Sequence, residues 1–544
     1  MSHPSRGRSS ARRGASTRTR LALRLLLLAA CSPLAACGSS GSPPPTSGSG
    51  VPGNGGASSA GTVSWGFFEY TRDFVGSLSN ASWGRATGVL WAEVERPPGS
   101  GAYDWSRLDS ITANAQAAGM NAVFVLKAGN GASFSDPECL RRVEAAAAAG
   151  GLPNGRALSS CPITATMEGA WSRMVTELVE RYDGDGSRDM PGLSSSFHLD
   201  IQVENESANW EFWDYGQPDR TLAADRYLRL LELAHQAKQA ADPETQVILT
   251  GLFQPDLLAG CGGGAGCTPG IQQHLLFTER ILGRPAIFDA VDVHFFAYYH
   301  FEPGSLDEGV QWVVDQMQRR GYQRPIYSLE WTGSSMLRFA DGLGEFVGYF
   351  PYWTDFRSAD AFWAMYVALD HPGNVTYRQW FEAEQAKEFG KLFANLLSLG
   401  VRRLVHVQYS DYTGGAAWSN AFWNWQGITK HVGGAAIRKP SYYTYNILSA
   451  RIFGFTGARR VAQGNDVRLY EFTFPAKGPV YVLWTDGPEA VLDLTSVVAR
   501  PTLRVTHLVT ELDGANAPIA QPDGTVPAAA VPAGDVPVLL EGVL

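Results

Sequence analysis

From residue 62 onward, short apolar runs typical of β-strands alternate with segments that carry apolar residues at helical spacing. The strand-like runs are, in chain order, TVSWGFFEY, ATGVLWAEVE, NAVFVLKA, HLDIQVENE, TQVILTG, AVDVHFFAYY, RPIYSLEW and VRRLVHVQY. Helical patterns lie between them, as in SRLDSITANAQAAG, GAWSRMVTELVERY and RYLRLLELAHQAKQAA. Eight strand-then-helix units over roughly 390 residues predict a (β/α)8 barrel with insertions in its loops. A doubly wound open sheet is the alternative, but no Gly-rich turn follows the first strand to support it.

The pattern changes after residue 450. The runs DVRLYEFTF, VYVLWTD, AVLDLTS, LRVTHLVT and VPVLLEGVL are short and are separated by turn residues. Short strands of this kind are typical of an antiparallel β-sandwich. The sequence therefore predicts a barrel over residues 62–450 and a β-sandwich domain over residues 451–544.

The first 37 residues predict an export signal. Seven arginines and no acidic residue precede Cys37, and the apolar run LALRLLLLAA is too short to span a membrane as a helix. LAAC occurs at 28–31 and again at 34–37, and both copies resemble the lipobox of bacterial lipoproteins, whose cysteine is lipidated. Residues 38–61 are rich in Gly, Ser and Pro and predict a flexible tether. A secreted protein with a simpler cleavage site is the alternative.

Cysteine parity favours Cys37 over Cys31 as the lipidated residue. Cleavage before Cys37 removes Cys31 and leaves four cysteines for two disulfides, whereas cleavage before Cys31 leaves Cys37 without a partner. The expected disulfides, which persist in an oxidising compartment, are Cys139–Cys161 and Cys261–Cys267. We therefore expect an extracytoplasmic protein of the bacterial cell envelope, held to the membrane by an N-terminal lipid, or a secreted one.

The mature chain is strongly acidic. The full sequence has 44 Lys and Arg against 53 Asp and Glu, a formal charge of −9. Removal of the seven arginines before Cys37 leaves 37 basic against 53 acidic residues, or −16. This balance argues against nucleic acid as a partner and leaves a neutral carbohydrate open. The 16 Trp suit either a large core or a carbohydrate cleft.

Two carboxylates stand at strand ends, where barrels of this kind place their chemistry. The fourth strand ends in VENES and the seventh in SLEWTG, so Glu206 and Glu330 are expected on the same rim. Hydrolysis of a glycosidic bond requires two carboxyl groups that flank it, one as acid and the other as nucleophile or base. A salt bridge at a strand end is the alternative for Glu330 alone, and Glu204 is an equal candidate to Glu206 by composition.

Several motifs, in their order along residues 62–450, resemble clan A glycoside hydrolases and family 39 in particular, which includes β-xylosidases and α-L-iduronidases. NESANWEFW resembles the family's NEPN…FW signature, LEW its nucleophile motif and DVHFF its sixth strand. LWAEVERPPGSGAYDWSRLD resembles the clan's second strand with the turn after it, and RKPSYYTYNIL the segment that closes the barrel. Ser207 departs from the pattern, because the family usually has Pro there.

This resemblance implies a retaining mechanism with a covalent glycosyl-enzyme, for which the carboxyl groups lie about 5 Å apart. Glu206 is implied as the general acid/base, Asn205 as a ligand of the substrate 2-hydroxyl, and Glu330 as the nucleophile. His294 is implied beside the nucleophile, and Tyr298 as a hydrogen-bond partner of Glu330.

Aromatic residues near the strand ends are candidates for stacking on a sugar. Trp331 directly follows Glu330, and Trp91 follows the second strand, as Trp210 and Trp213 follow the fourth. For each of them, packing in the core is the alternative. The loop FVGYFPYWTDF after the seventh strand is apolar enough to line a site or to bury itself.

No metal or cofactor is expected. DGDGSRDM has oxygen ligands at alternate positions, as in a calcium loop, at Asp183, Asp185, Ser187 and Asp189. It lacks the Gly at the sixth position and the Glu at the twelfth, so a solvated loop is favoured. The chain contains neither HxH nor HExxH, which argues against a metallohydrolase, and it has no GxSxG nucleophile elbow.

The sequence thus favours a retaining glycoside hydrolase that acts on a glycoside, an oligosaccharide or a polysaccharide. Among enzymes, the alternative is a clan A endo-glycanase of another specificity, such as a glucanase or a mannanase. Outside enzymes, the alternatives are a carbohydrate-binding surface lipoprotein on an inactive barrel and a structural envelope lipoprotein.

Overall fold

The computed structural model describes residues 63–68, 78–149, 160–253, 255–261, 267–295, 305–332, 374–411, 425–432, 435–462 and 466–543. A sheet of parallel strands forms its centre. The strands are β1 (Ser64–Phe68), β2 (Trp83–Leu90), β3 (Asn121–Lys127), β4 (Leu199–Val203), β5 (Val247–Ile248), β6 (Leu252–Phe253), β7 (Val291–Phe295), β8 (Ile326–Trp331) and β9 (Arg403–His406). They pair in the order β5-β4-β3-β2-β1-β9-β8-β7-β6.

The sheet closes into a barrel because β5 and β6 are two pieces of one barrel strand. β5 pairs with β4, and β6 pairs with β7, both in parallel. Between these pieces, Ile248 forms a parallel bridge to Ala290, and the Leu249 N–H donates to the Ala290 carbonyl over 2.9 Å. The described strands thus complete an eight-membered ring, which confirms the predicted (β/α)8 barrel.

Helices pack around this ring. Those described are α1 (Trp91–Val94), α2 (Ser106–Ala117), α3 (Pro137–Ala148), α4 (Glu168–Tyr182), α5 (Arg220–Ala241), α6 (Pro255–Gly260), α7 (Pro269–Leu282), α8 (Ser305–Arg319), α9 (Asn374–Ser398) and α10 (Pro440–Ile452). In α5, the Asp219 side chain caps the start by accepting two backbone N–H groups. The apolar face of α5 is buried against the barrel, at Tyr227, Leu230, Leu231 and Ala234.

A buried ion pair fills the amino-terminal end of the barrel interior. Arg403 donates to Asp200 over 2.7 Å, and its guanidinium lies 3.4 Å from the centre of the Trp83 ring and 4.3 Å from that of Tyr327. Each of these residues is the first or second of its strand. Barrel interiors usually hold branched apolar side chains here. The ion pair therefore ties four strands together below the carboxyl ends of the barrel.

Antiparallel strands follow the barrel strands along the chain. They are β10 (Thr429–Val432), β11 (Ala435–Arg438), β12 (Gly457–Ala462), β13 (Val467–Thr473), β14 (Val480–Thr485), β15 (Ala490–Leu492), β16 (Thr502–His507), β17 (Gly524–Pro527), β18 (Val531–Ala533) and β19 (Val538–Gly542). Six of them form a sheet in the order β12-β13-β14-β19-β16-β17, β15 pairs with β18, and β10 pairs with β11. The predicted C-terminal β-sandwich is thus present as antiparallel sheets.

The six-stranded sheet buries both of its faces. Leu469, Tyr481 and Leu483 belong to the core of the sandwich, whereas the alternate residues Tyr470 and Trp484 belong to the core of the barrel. The Tyr470 and Trp484 rings stack with centroids 5.1 Å apart. One hydrophobic core therefore runs from the barrel into the C-terminal sheet.

Both expected disulfides, Cys139–Cys161 and Cys261–Cys267, are formed. Cys139 lies in the first turn of α3, and the Cys161 N–H donates to the Gly129 carbonyl beyond the end of β3. Among the described residues, no helix has the length and apolar character that crossing a membrane requires.

Ion pairs reinforce the junction between the barrel and the C-terminal sheet. Lys387 and Lys391 of α9 both contact Asp535, Lys387 at 3.0 Å. Lys391 is fully buried and also lies 3.8 Å from Glu388. Burial opposes the ionised form of Asp535, but the two lysines outweigh it and lower the pKa of Asp535 to about 2. Arg451 of α10 adds a contact of 2.9 Å to Glu541 of β19.

We expect Asp535→Asn to lower the free energy of unfolding at neutral pH by about 1 kcal/mol, because two lysines lose the anion that they share, while Lys387 keeps Glu384 and Lys391 keeps Glu388. The pKa of Asp535 is depressed in the folded protein, so this stabilisation is present above about pH 4 and is lost as the pH falls toward about 2. Urea unfolding at neutral pH and near pH 2 should show a gap between wild type and variant that closes in acid.

Glu511→Gln, at an exposed carboxylate of the same domain, is the matched control and should leave unfolding unchanged. A gap for Asp535→Asn of equal size at both pH values would show that lost packing, rather than lost charge, is the cause.

Candidate active site

Polar side chains from several strands meet at the carboxyl ends of the barrel. Arg85 belongs to β2, His294 to β7 and Glu330 to β8, and Glu206 follows the end of β4. Oxygen or nitrogen atoms of Glu206, His294 and Glu330 all lie within 4.8 Å of one another. The structure therefore brings together the two carboxylates that the sequence singles out.

A β-bulge in β8 explains why Glu330 faces the barrel interior and Trp331 faces the helices. From Asp292 to His294, β7 advances two residues while β8 advances three, from Tyr327 to Glu330. The pairing of β8 with β9 shows the same offset. One extra residue in β8 shifts the alternation of its side chains, as bulges next to active sites often do.

The turn that carries Glu206 is strained and firmly held. Glu204 and Glu206 have left-handed backbones, with φ of 60° and 42°, which side chains disfavour. Ser207 donates its N–H to Thr250 Oγ1 over 2.9 Å, and the two hydroxyls lie 3.0 Å apart. The buried Arg220 donates to two carbonyls of the same turn. Serine supports this turn through an N–H that proline lacks, which accounts for its departure from the family pattern.

Arg85 is fully buried and holds one side of the site. Its Nη1 contacts Glu330 Oε1, and its Nη2 donates to Gln202 Oε1 over 2.7 Å and to Asn205 Oδ1 over 2.8 Å. An arginine only donates, so the amide oxygen of Asn205 must face it. The Asn205 Nδ2 group then points away from Arg85 as a donor.

His294 and Asp292 hold the other side. Gln202 Nε2 donates to Asp292 Oδ2 over 2.7 Å, and the same oxygen lies 2.8 Å from His294 Nε2. The opposite ring nitrogen, Nδ1, lies 2.7 Å from Glu206 Oε1 and 3.5 Å from Glu330 Oε2. A continuous chain of hydrogen bonds and ion pairs therefore runs beneath the two carboxyl groups, from Glu330 through Arg85, Gln202, Asp292 and His294 to Glu206.

Gly251 makes room for the His294 ring. A Cβ at position 251 would lie 2.2 Å from His294 Nε2. Gly251 lies between β5 and β6, so the ring packs against the barrel strand at its break.

The charges of the site set the protonation of its members. Burial lowers the pKa of His294, but the carboxylates of Glu330, Asp292 and Glu206 outweigh it and raise the pKa to about 10. Burial raises the pKa of Glu206 despite the opposing effect of His294. Burial also acts against ionisation of Asp292, yet His294 and Arg85 lower its pKa. At neutral pH the site thus holds a cationic His294 and an ionised Asp292, and Glu206 gives up its proton less readily than an exposed glutamate.

Glu204, the other carboxyl group of VENES, has different surroundings. It is fully buried, and its Oε1 accepts the Ala128 N–H over 2.7 Å. Burial raises the pKa of Glu204 to about 7, although Lys127 at the end of β3 opposes this. Glu204 is hydrogen-bonded to the backbone directly after the neighbouring strand β3, whereas Glu206 faces His294 and Glu330.

Of the four tryptophans that are candidates for stacking on a sugar, the structure places Trp331 and Trp91 in the core. Trp331 is 1% exposed, and its ring packs 4.8 Å from Phe389 and 4.9 Å from His406. Trp91 is 0% exposed and donates its Nε1–H to Glu95 Oε2 over 2.6 Å. Neither indole presents a face to a ligand, because apolar neighbours of the barrel and its helices cover both.

Trp213 is buried as well, whereas Trp210 is partly exposed. Tyr298, the aromatic loop FVGYFPYWTDF and Cys37 lie outside the described residues.

Arg85, Gln202 and Asp292 are not among the site residues predicted from the sequence. Arg85 is a charged residue inside an otherwise apolar strand, and Gln202 and Asp292 alternate with Glu204 and His294 along their strands. Polar residues that recur on one face of a buried strand are the signal that points to them.

By distance alone, Glu206, His294 and Glu330 form a set that fits a metal ion. The chemistry of these three side chains does not favour a metal ion. His294 is a cation whose two nitrogens both face carboxyl oxygens, so it has no lone pair for a metal, and Arg85 already supplies a positive charge to Glu330. The set fits a hydrogen-bonded pair of carboxyl groups better than a metal centre.

Asp183, Asp185 and Asp189 also lie close together. Asp189 accepts the N–H groups of Gly184 and Gly186, and Asp185 accepts that of Ser187. These carboxylates accept hydrogen bonds that shape their own loop, and the solvated loop stays a prediction.

No protein-family model matches the chain, and no curated protein matches it. Several solved structures are similar to this chain. A family 39 glycoside hydrolase from the gut symbiont Bacteroides cellulosilyticus WH2 has a TM-score of 0.54 at 11% identity, over 89% of this chain and 81% of that chain. The GH51 arabinofuranosidase from Xanthomonas axonopodis pv. citri has a TM-score of 0.48 at 12% identity, over 85% and 87% of the two chains. A GH30 endoxylanase from Clostridium papyrosolvens C71 has a TM-score of 0.45 at 13% identity, over 89% and 96%.

Of these three, the first has a TM-score above one half. At this level of identity the likeness establishes the fold alone, and the chain shares the barrel fold of a family 39 glycoside hydrolase. The resemblance drawn from the sequence motifs is therefore matched at the level of the fold.

We expect Thr250→Val to lower the free energy of unfolding by roughly 1–3 kcal/mol, because the buried N–H and hydroxyl of Ser207 lose their partner. Urea unfolding at neutral pH measures the change. Thr278→Val is the matched control, since the Thr278 hydroxyl is buried and has no hydrogen-bond partner among the described residues. That control should be neutral or stabilising; an equal loss in both variants would mean that the Thr250 hydroxyl does not hold the Glu206 turn.

Proposed function

We propose that the protein is a retaining O-glycoside hydrolase that works by double displacement. The observation that carries the proposal is the pair of carboxyl groups, Glu206 and Glu330, with oxygens within 4.8 Å of each other at the carboxyl ends of two barrel strands. Retaining glycosidases hold their carboxyl groups about 5 Å apart, whereas inverting ones need roughly 6.5–9.5 Å to admit a water between them. The short separation supports the retaining mechanism.

The surroundings of the two groups support different roles. Glu206, whose pKa burial raises, suits the general acid that protonates the glycosidic oxygen. Glu330, held by the guanidinium of Arg85, suits the carboxylate that attacks the anomeric carbon. Asn205 turns its amide oxygen to Arg85, which leaves its Nδ2 group to donate to the substrate 2-hydroxyl.

The reaction then proceeds in two steps. Glu330 bonds to the anomeric carbon as the bond to the leaving oxygen breaks, and Glu206 gives its proton to that oxygen. In the second step Glu206, now a carboxylate, takes a proton from water. The resulting hydroxide displaces Glu330, which regains its charge, and the sugar leaves with its original anomeric configuration.

Activity on aryl glycosides and polysaccharides tests this proposal. Glu206→Ala and Glu330→Ala are each expected to lower kcat by roughly 10²–10⁴-fold or more. Azide should restore turnover of a β-glycoside in Glu330→Ala and yield the α-glycosyl azide, because the small anion takes the place of the missing nucleophile. Wild-type activity should fall in alkali as Glu206 loses its proton above its raised pKa.

Glu211→Gln is the matched control, a carboxyl group on the same turn that contacts neither His294 nor Glu330 among the described residues, and it should keep wild-type activity. Activity that survives both alanine substitutions would refute the assignment. A wild type that is silent on the whole panel but binds polysaccharide would favour the sugar-binding lipoprotein instead.

We further propose that Cys37 carries a lipid and that the enzyme acts on carbohydrate outside the cytoplasm. The two disulfides support an oxidising compartment. Cys37→Ser is expected to move the protein from the membrane fraction to the soluble fraction of an expressing bacterium, while Cys31→Ser, the matched control, stays with the membrane. The reverse result would assign the lipid to Cys31.

A further inference from the structure

His294 lies between the two proposed catalytic carboxyl groups, and both of its nitrogens are engaged. Nδ1 lies 2.7 Å from Glu206 Oε1 and 3.5 Å from Glu330 Oε2, and Nε2 lies 2.8 Å from Asp292 Oδ2. Ring nitrogens that both face carboxyl oxygens are satisfied when both carry a proton. An imidazolium satisfies all of these contacts, in line with the raised pKa of His294.

Asp292 holds this cation from beneath. It is fully buried, and its Oδ1 accepts the Leu329 N–H over 2.8 Å while its Oδ2 accepts from Gln202 Nε2 over 2.7 Å. Leu329 directly precedes Glu330 in β8. One carboxylate therefore positions the imidazole and the strand that carries the proposed nucleophile.

The other charges near His294 come from different elements. Glu206 faces it from the turn after β4 and Glu330 from β8, while Arg85 of β2 and Lys127 of β3 act on Glu330. Arg85 and Lys127 are basic and oppose a charge on the ring. With Glu206 protonated, the anions that sustain the imidazolium are Asp292 and Glu330, and Glu330 loses its charge when it bonds to the sugar.

Resting on the proposed function, we propose that Asp292 is a positioning residue of the reaction. It keeps His294 cationic throughout the cycle, and the cation confines the transferable proton of Glu206 to Oε2. An imidazolium N–H occupies Glu206 Oε1, so Oε2 carries the proton. A neutral imidazole with its proton on Nε2 would instead accept from Glu206 and draw that proton to Oε1, toward the ring. Asp292 thus acts through His294 without touching the substrate.

The pH dependence of kcat/KM on an aryl glycoside tests the proposal in Asp292→Asn. We expect kcat/KM at neutral pH to fall by roughly 10–100-fold and the alkaline limb to move up by on the order of one pH unit. In this variant His294 loses its positive charge, which lies 2.7 Å from Glu206, and this loss raises the pKa of Glu206. The loss of the Asp292 anion acts in the opposite direction but from beyond the ring, so the loss of the cation dominates. Glu206 therefore keeps its proton to higher pH.

Two further variants separate this effect from a structural one. Asp292→Glu restores the anion and should return the limb to its wild-type position even where kcat is lower. Asp200→Asn is the matched control, a buried aspartate that contacts His198 at 3.0 Å and Arg403 at the other end of the barrel. It should leave the alkaline limb in place whatever it does to stability.

Nitrogen-15 NMR of labelled histidine gives a readout that does not need activity. The His294 signals, identified by their absence in His294→Gln, are expected to show two protonated nitrogens up to about pH 9 in the wild type. In Asp292→Asn the ring should become neutral at lower pH. A wild-type imidazole that is neutral at pH 7, or an alkaline limb that Asp292→Asn does not move, would overturn the proposal. A wild type without glycosidase activity would refute the proposed function instead, and the NMR result would still decide the charge of His294.

Discussion

Buried charges that compensate one another are the constraint on which the rest of this structure depends. Arg85, His294 and Asp292 lie in the barrel interior, where a single unpaired charge costs several kcal/mol. Their partners are one another and the carboxyl groups of the candidate site, so no member is stabilised independently. The charge pattern that suits the proposed chemistry is therefore also what permits the barrel to fold around a polar interior.

The backbone departs from regular parallel strands where this chain of charges requires it. The bulge in β8 turns Glu330 inward, the break between β5 and β6 at Gly251 admits the His294 ring, and left-handed residues after β4 aim Glu206. A strained backbone of this kind persists only where contacts with the surrounding structure hold it in place. Thr250 and Arg220 do so for the turn after β4, and the hydrogen bond from the Ser207 N–H to Thr250 is one that a proline at position 207 could not form.

The parts of the molecule that the sequence predicts are those with local signals. Apolar periodicity locates the barrel strands, and cysteine parity indicates two disulfides, because the first depends on residues close together and the second on counting. Glu206 and Glu330 are predictable as neighbours, since the ends of parallel strands share one rim. The buried position of Trp331 is not predictable, because a β-bulge has no signature in SLEW. Only the pairing of β8 with its neighbouring strands reveals the bulge. Arg85 and Asp292 carry a weak local signal, a charged residue within a buried strand, and their roles depend on contacts across the barrel.

The position of His294 has a consequence for the second half of the proposed reaction. Its Nδ1 is closer to Glu206 than to Glu330, at 2.7 Å against 3.5 Å. When Glu330 becomes an ester it loses its charge, so Arg85 and His294 lose an anion while Asp292 stays ionised. The field at Glu206 then becomes more positive, which lowers the pKa of Glu206 when it must accept a proton from water. The Glu330 anion thus favours the acid form of Glu206 before the sugar is bound covalently, and the fixed cation of His294 favours the base form once that anion is gone.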